Sequence, residues 1–156
     1  MIRIVTESMS DFTQEEAKAA DLIVMPLPIR FGMEEYWDDG VSLTQDDFYA
    51  RLRVAKELPK TSQVPVEHYR KCFNRLLENP EDEVLVITGS SKLSGCYQSA
   101  CIAREACHDP ARVTVLDSLN ATCAEYMLVD QALRYRREGA VSYTHLRAHE
   151  TLRHLV

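Results

Sequence analysis

The sequence has no long apolar run, no excess of basic residues and no closely spaced cysteine pair. Its apolar runs all fall short of the roughly 18 residues that span a bilayer, so no transmembrane helix is expected. The amino terminus becomes polar too soon for the core of a signal peptide, which predicts a cytoplasmic protein. A net charge of −6 argues against nucleic-acid binding, because a phosphate backbone selects clustered Lys and Arg.

The five cysteines do not have the spacing of a disulfide framework or of a zinc site. Their number is odd, and no two of them are separated by only two residues. Free thiols that pack as small apolar side chains are therefore expected.

Two motifs of phosphate and acyl chemistry are also missing from the loop that begins at Gly89. Lys92 precedes Gly95 instead of following it, so the pattern of a Walker phosphate loop is absent. The second glycine of Gly-x-Ser-x-Gly is absent too, and no histidine follows in a suitable position. What remains is a set of neutral hydroxyl and amide donors without a base, which can bind an anionic oxygen but has no evident role in bond making.

The stretch over residues 83–100 is the most informative part of the chain. Residues 84–87 are a short, continuous aliphatic run, which is typical of a strand buried on both faces of a parallel sheet. Ser94 and Gly95 stand where the next helix is predicted to begin, and there a hydroxyl, free amides and the positive end of the helix dipole converge. This predicts an anion site; the alternative is that Ser94 only caps its helix.

Strand and helix patterns alternate along residues 1 to about 140. Threonines at positions 13, 44 and 122 are each predicted to cap a helix, residues 60–63 are predicted to form a loop, and Pro26 and Pro28 interrupt the apolar segment 22–31. The alternation predicts an α/β fold of three layers, with a mostly parallel sheet and helices on both of its faces. In such sheets ligands bind beyond the carboxyl ends of the strands. Four polar loops are expected near that edge, and they carry Ser8 and Ser10, Thr61 and Ser62, Ser91 and Ser94, and Asp117 and Ser118.

Four segments resemble, in order and spacing, the motifs of the DegV family of bacterial fatty-acid-binding proteins. They are Thr6-Glu-Ser8, Lys60-Thr-Ser-Gln63, Ser90-Ser-Lys-Leu-Ser-Gly-Cys-Tyr-Gln-Ser-Ala100 and Val115-Leu-Asp-Ser118. The resemblance covers residues 1 to about 140, which would be the amino-terminal domain of a family that normally has a second domain closing over the acyl chain. It implies that the chain is a lipid carrier and not an enzyme. The fatty acid bound to the carrier can be phosphorylated by a partner fatty acid kinase.

Carried onto this chain, the resemblance implies that Thr61 and Ser94 hold the carboxylate of a long-chain fatty acid such as palmitate, with Ser62 and Gly95 as nearby donors. No other cofactor, no metal and no nucleic acid is implied, and contact with a membrane is expected to be at most transient and confined to its surface. Three positions depart from the family pattern: Glu7 replaces an aspartate, Val64 a proline and Cys96 a threonine. The rival hypothesis is a small-molecule enzyme of the same architecture that acts on a phosphorylated or carboxylated substrate.

Residues 141–156 do not fit the family pattern. The segment 142–151 resembles a translated sequencing adapter, so a truncated gene with a non-native tail is expected. The alternative is that His145 and His149, spaced i and i+4, form half of a metal site, but two more suitable ligands are not in view.

Overall fold

The computed structural model describes residues 1–139, which form seven strands and five α-helices. The strands are β1 Ile2–Glu7, β2 Leu22–Met25, β3 Pro28–Phe31, β4 Glu34–Trp37, β5 Lys60–Thr61, β6 Glu83–Thr88 and β7 Val113–Asp117. The helices are α1 Gln14–Ala19, α2 Gln45–Val54, α3 Val66–Leu76, α4 Cys96–Glu105 and α5 Cys123–Arg137. The tail prediction, with His145 and His149, lies outside the described residues.

Four strands form a parallel sheet in the order β2-β1-β6-β7. The central strand β6 is apolar from Val84 to Ile87 and buried from Val84 to Thr88, as expected for a strand that is covered on both faces of the sheet. Helix α1 connects β1 to β2, and α4 connects β6 to β7, so the predicted alternation of strand and helix is confirmed. The predicted α/β fold is therefore the observed one.

Side chains alternate between the two faces of this sheet and form two separate cores. On one face Val5, Val84 and Val86 pack with Tyr69 and Phe73, which belong to α3, and with Ala100 of α4, among other residues. On the other face Ile4, Leu85 and Ile87 pack with Ala17 of α1 and with Val129 and Leu133 of α5. These three layers are what the alternation of strand and helix patterns along the chain predicted.

A small lobe stands beside the parallel sheet. It consists of an antiparallel sheet in the order β4-β3-β5 together with α2. The break at Pro26 and Pro28 was predicted, together with a strand after it and a short hairpin return over residues 32–40, and the antiparallel pairing of β3 with β4 confirms that hairpin. Its membership of a second sheet that includes β5 was not predicted. The prediction of a plain loop at residues 60–63 was wrong in part, because Lys60 and Thr61 pair with Arg30 and Ile29 of β3.

Two of the three predicted threonine caps are confirmed. The hydroxyls of Thr13 and Thr44 each accept from the amide three residues later at 3.2 Å. Thr122 does not cap α5, since its φ of 53° lies in the left-handed region and its side chain makes no capping bond. The Thr122 N–H donates instead to the Met9 carbonyl oxygen at 3.0 Å, so a tertiary hydrogen bond has overridden the local signal. Over residues 1–139, no helix combines the length and apolarity that crossing a bilayer requires.

Candidate anion site at the carboxyl edge of the sheet

The loops that follow β1, β6 and β7 lie side by side, because these strands are parallel neighbours. Hydrogen bonds join the last two loops: the Ser90 N–H donates to the Asn120 carbonyl oxygen at 2.7 Å, and the Ser91 N–H donates to Asp117 Oδ1 at 3.1 Å. Asp117, which belongs to one of the polar loops expected at this edge, thus orders the backbone of the neighbouring loop. Ser118 does the same within its own loop, where its Oγ accepts from the Asn120 N–H at 3.0 Å.

The loop over residues 89–95 is held in a compact shape by Ser90. Its carbonyl oxygen accepts from the N–H groups of Leu93 and Ser94 at 2.9 and 3.0 Å, and its Oγ accepts from the Lys92 N–H at 3.2 Å. Most backbone donors of this loop are therefore used within the protein. The loop will be called the hydroxyl loop below.

Ser94 and Gly95 form the junction between the hydroxyl loop and α4. The helix begins at Cys96 with Gly95 as its N-cap residue, so the alternative in which Ser94 only serves as the ordinary N-cap does not describe this junction. Because the Ser94 N–H is turned back to Ser90, the Ser94 Oγ reaches only the Cys96 N–H, at 3.3 Å. In that role the hydroxyl is an acceptor and keeps its proton for donation. Within residues 1–139 the Gly95 N–H has no hydrogen-bond acceptor.

Thr61 and Ser62 belong to the small lobe. Thr61 ends β5, and the Ser62 N–H donates to the Pro28 carbonyl oxygen of β3 at 3.2 Å. Both side chains are exposed, and neither hydroxyl has a hydrogen-bond partner in the described part of the chain. Gln63 then packs against Gly95: a Cβ on Gly95 would lie 3.0 Å from Gln63 Cδ. This contact brings the lobe segment 61–63 and the start of α4 together.

Two buried carboxyl groups, which sequence reasoning did not identify as a pair, lie beneath the hydroxyl loop. Glu7 ends β1 and Glu125 lies in the first turn of α5, and both side chains have 0% exposure. Burial raises the pKa of Glu7 to about 7, against a lowering effect of the Gly89 N–H. Burial, with the added charge of Glu7, raises the pKa of Glu125 to about 9. The only sequence signal was the departure of Glu7 from the family aspartate.

Apolar side chains are exposed around the hydroxyl loop. Leu93 within it is 72% exposed, and Leu116 and Leu119 of the neighbouring strand end and loop are 42% and 41% exposed. An open cavity of about 600 Å³, lined by Arg3, Asp82 and other residues, lies at the opposite end of the strands, so it is not continuous with this cluster. The carboxyl edge thus combines polar donors with an exposed apolar rim. Residues 1–139 contain no group of three or more His, Cys, Asp or Glu side chains that could hold a metal ion.

Comparison with known proteins relates this geometry to one family. The family model for DegV matches residues 1–153. A DegV domain-containing protein of Caldanaerobacter subterraneus subsp. tengcongensis is 40% identical over 139 residues, which cover 89% of this chain and 48% of the relative. The chain therefore spans about half the length of the curated relatives it matches.

Two solved structures share the fold over almost all of the chain. A DegV family protein from Thermus thermophilus, described for its fatty acid binding, superposes with a TM-score of 0.86 at 32% identity and covers 98% of this chain and 53% of its own. A stearic acid-binding protein from Eubacterium ventriosum has a TM-score of 0.85 at 30% identity, covering 95% of this chain and 51% of its own.

Proposed function

The chain belongs to the DegV family, and from this membership together with the donors at its carboxyl edge we propose that it binds the carboxylate of a long-chain fatty acid. The observation that carries the proposal is the contact of Gln63 with Gly95. It joins the lobe segment that carries the hydroxyls of Thr61 and Ser62 to the start of α4, which carries the Ser94 hydroxyl and the Gly95 N–H, and so supports a shared site for these donors. Proteins of the same fold that bind fatty acids, one of them stearic acid, support the choice of ligand.

Each of the four proposed ligand residues supplies a hydrogen-bond donor without giving up an existing bond. Thr61 and Ser62 offer hydroxyls, Ser94 offers a hydroxyl whose oxygen is already fixed by the Cys96 N–H, and Gly95 offers its N–H. A carboxylate oxygen accepts such bonds well, and each hydrogen bond to a charged group contributes on the order of 1.5 to 3 kcal/mol. The positive end of α4 adds a favourable field for an anion.

The exposed apolar side chains at the same edge are proposed to meet the start of the acyl chain. Leu93, Leu116 and Leu119 stand next to the donors and are not packed in either core. Burying such side chains against a methylene chain contributes roughly 25 cal/mol per Å² of apolar surface removed from water. In the relatives, about half of the length lies beyond the matched segment, and we propose that this other half encloses the remainder of the chain.

We further propose that the role is binding and presentation, with chemistry performed by a separate fatty acid kinase. The Thr61 and Ser62 side chains are exposed, so a carboxylate held there remains reachable from solvent and by a partner protein. A cytoplasmic location, with transient contact at a membrane surface for ligand exchange, is part of this proposal.

The direct test is mass spectrometry of lipids that copurify with the chain from bacteria, followed by titration with palmitate. The proposal predicts copurifying C16 to C18 acids and saturable palmitate binding. The Gly95→Pro variant removes the free N–H and is expected to bind less. Because any Cβ at this position would lie 3.0 Å from Gln63 Cδ, Gly95→Ala, which adds the same contact but keeps the N–H, is the matched control. Repeated absence of lipid, together with turnover of a phosphorylated or carboxylated small molecule, would favour the rival enzyme hypothesis.

A further inference from the structure

Glu7 and Glu125 are the two fully buried acidic side chains of the parallel-sheet unit that the proposed carboxylate site does not use. They come from opposite sides of the sheet. Glu7 is the last residue of β1, and Glu125 projects from α5, where its Oε1 accepts from the Thr6 hydroxyl at 3.2 Å. Both lie directly under Gly89, the first residue of the hydroxyl loop.

Gly89 is the point on which the two carboxyl groups converge. Its N–H donates to Glu7 Oε1 at 2.6 Å, which is short for such a bond. A Cβ on Gly89 would lie 3.0 Å from Glu7 Oε1, 3.0 Å from Glu125 Oε2 and 2.6 Å from the Met9 sulfur. Only a residue without a side chain fits between them, so glycine at this position allows the two carboxyl groups to approach one another.

No positive side chain balances this pair within residues 1–139. Neither carboxyl takes part in an ion pair, and Glu7 Oε2 and Glu125 Oε2 have no hydrogen-bond partner there. The other titratable groups that face them are Asp11, the phenol of Tyr69 from α3 and the thiol of Cys96 from α4. Burial raises the pKa of both Tyr69 and Cys96, so neither supplies a counter-charge.

Two like charges that are buried side by side without a counter-ion are unfavourable, and such a site retains a proton instead. We propose that the Glu7–Glu125 pair retains one proton at neutral pH and that both residues act as positioning residues, which fix Gly89 and with it the hydroxyl loop that carries Ser94 and Gly95. The pairing of the two carboxyls is independent of any ligand, whereas its effect on lipid affinity rests on the proposed function.

When the pair loses its proton, the hydroxyl loop should move before β1 or α5 does. β1 and α5 are held by the two cores, whereas the hydroxyl loop is held by hydrogen bonds: its own turn bonds, the Gly89 N–H bond to Glu7 and two bonds to the loop after β7. When both carboxyls are ionised, repulsion between them is relieved most easily by movement at Gly89. The second negative charge also opposes an anionic ligand. A fatty acid carboxyl is itself ionised throughout the neutral and alkaline range, so its own charge does not change.

The first arm of the test needs no ligand. Carboxyl ¹³C NMR of the chain should show two glutamates that titrate above about pH 6, and Glu125→Gln should leave one, with a lower pKa because an amide donor now faces Glu7. Amide exchange over residues 89–95 should rise with deprotonation of the pair and should not do so in Glu125→Gln at the same pH. Glu78→Gln, an exposed glutamate without an ion pair, is the matched control and should behave as the parent.

The second arm measures palmitate affinity. The palmitate affinity of the parent and of Glu78→Gln should fall by about tenfold or more between about pH 7 and pH 9.5. The affinities of Glu7→Gln and Glu125→Gln should change by less than about threefold over the same range. Glu7→Ala removes the acceptor of the Gly89 N–H and should bind about tenfold more weakly at neutral pH, and Glu7→Gln should restore binding.

Any of three results would overturn the proposal. All glutamates could titrate near their ordinary pKa, amide exchange over residues 89–95 could be independent of the ionisation of Glu7 and Glu125, or the alkaline loss of palmitate affinity could persist in both glutamine variants. If palmitate binding is absent in every protein while the first arm gives the expected titration and loop exchange, the proposed function is wrong and the carboxyl pair stands.

Discussion

The parallel-sheet unit and the small lobe bury their apolar side chains to very different extents. In the parallel-sheet unit, Tyr69 and Phe73 are fully buried and both faces of the sheet are covered by helices. In the lobe, α2 has no buried residue, and Met33, Val54 and Leu58 are at least 80% exposed. The lobe is held by smaller contacts, such as the edge-to-face pair of Phe31 and Phe48 at 5.6 Å.

This difference bears on function because the proposed carboxylate site is divided between the two regions. Ser94 and Gly95 lie on the well-packed parallel-sheet unit, whereas Thr61 and Ser62 lie at the edge of the less packed lobe. A region with few buried apolar contacts opens locally at low free-energy cost. We expect the parallel-sheet unit to fix one half of the site and the lobe to close the other half over the ligand.

The largest expected effect comes from truncating one aromatic side chain in each region. Phe73→Ala, at a side chain with 0% exposure, should lower the free energy of unfolding by about 3 to 5 kcal/mol, because it removes a large apolar group and leaves a cavity. Phe48→Ala, at a half-buried position in the lobe, should cost about 1 kcal/mol. Urea denaturation of both variants measures the difference. Equal costs would mean that the two regions share one core.

A pH-dependent stability is expected to originate in the parallel-sheet unit. The pKa values of Glu7 and Glu125 are raised from 4.5 to about 7 and about 9, so between these limits the folded chain binds more protons than the unfolded one. Stability should therefore be greatest below about pH 4.5 as far as these two groups are concerned, and should fall as pH rises to about 9. Thermal unfolding of Glu125→Gln across this range should show a flatter profile. A slope identical to that of the parent would contradict the raised pKa.

The helix caps at Thr13 and Thr44 offer a closely matched pair of substitutions. Each hydroxyl accepts a hydrogen bond from the amide three residues later at 3.2 Å. Substitution by Ala should therefore cost each helix a similar stabilising free energy, about 1 kcal/mol. Thr13→Ala should lower global stability by that amount. Thr44→Ala should mainly increase amide exchange within α2 and leave the global midpoint almost unchanged. A full global loss for Thr44→Ala would show that the lobe unfolds together with the parallel-sheet unit.

The smallest effect is expected from removing residues 142–156. If that segment is a non-native tail, its deletion should move the melting temperature by no more than about 1 °C, since no core contacts would be lost. Differential scanning calorimetry of both lengths is the measurement. A drop of several degrees would show that the tail packs natively.

Local sequence signals predicted the elements that local chemistry determines. The buried strand β6 and the caps at Thr13 and Thr44 could be derived from the sequence, because each depends on neighbours within a few residues. The separate second sheet could not, since β5 consists of two residues whose pairing with β3 has no local sequence signal.

Features built from distant residues were missed for a physical reason. The conformation of Thr122 goes with a tertiary hydrogen bond from its N–H to the Met9 carbonyl oxygen. Glu125 accepts a hydrogen bond from the hydroxyl of Thr6, which lies 119 positions away in the sequence. No local pattern marks either contact. For the proposed site, the sequence located the loops that carry Thr61 and Ser94, but the contact of Gln63 with Gly95 that brings them together became visible only in the folded chain.

The proposed division of the carboxylate site is tested most directly by calorimetric titration of the chain with palmitate and with the matching fatty alcohol. Thr61→Ala on the lobe and Ser94→Ala on the parallel-sheet unit should each weaken palmitate binding by about tenfold or more, because about 1.4 kcal/mol corresponds to a factor of ten. Binding of the alcohol should change much less, and Ser42→Ala, which alters a lobe hydroxyl in another turn, should leave palmitate affinity unchanged. If both Thr61→Ala and Ser94→Ala bind palmitate as tightly as the parent, the carboxylate is held elsewhere.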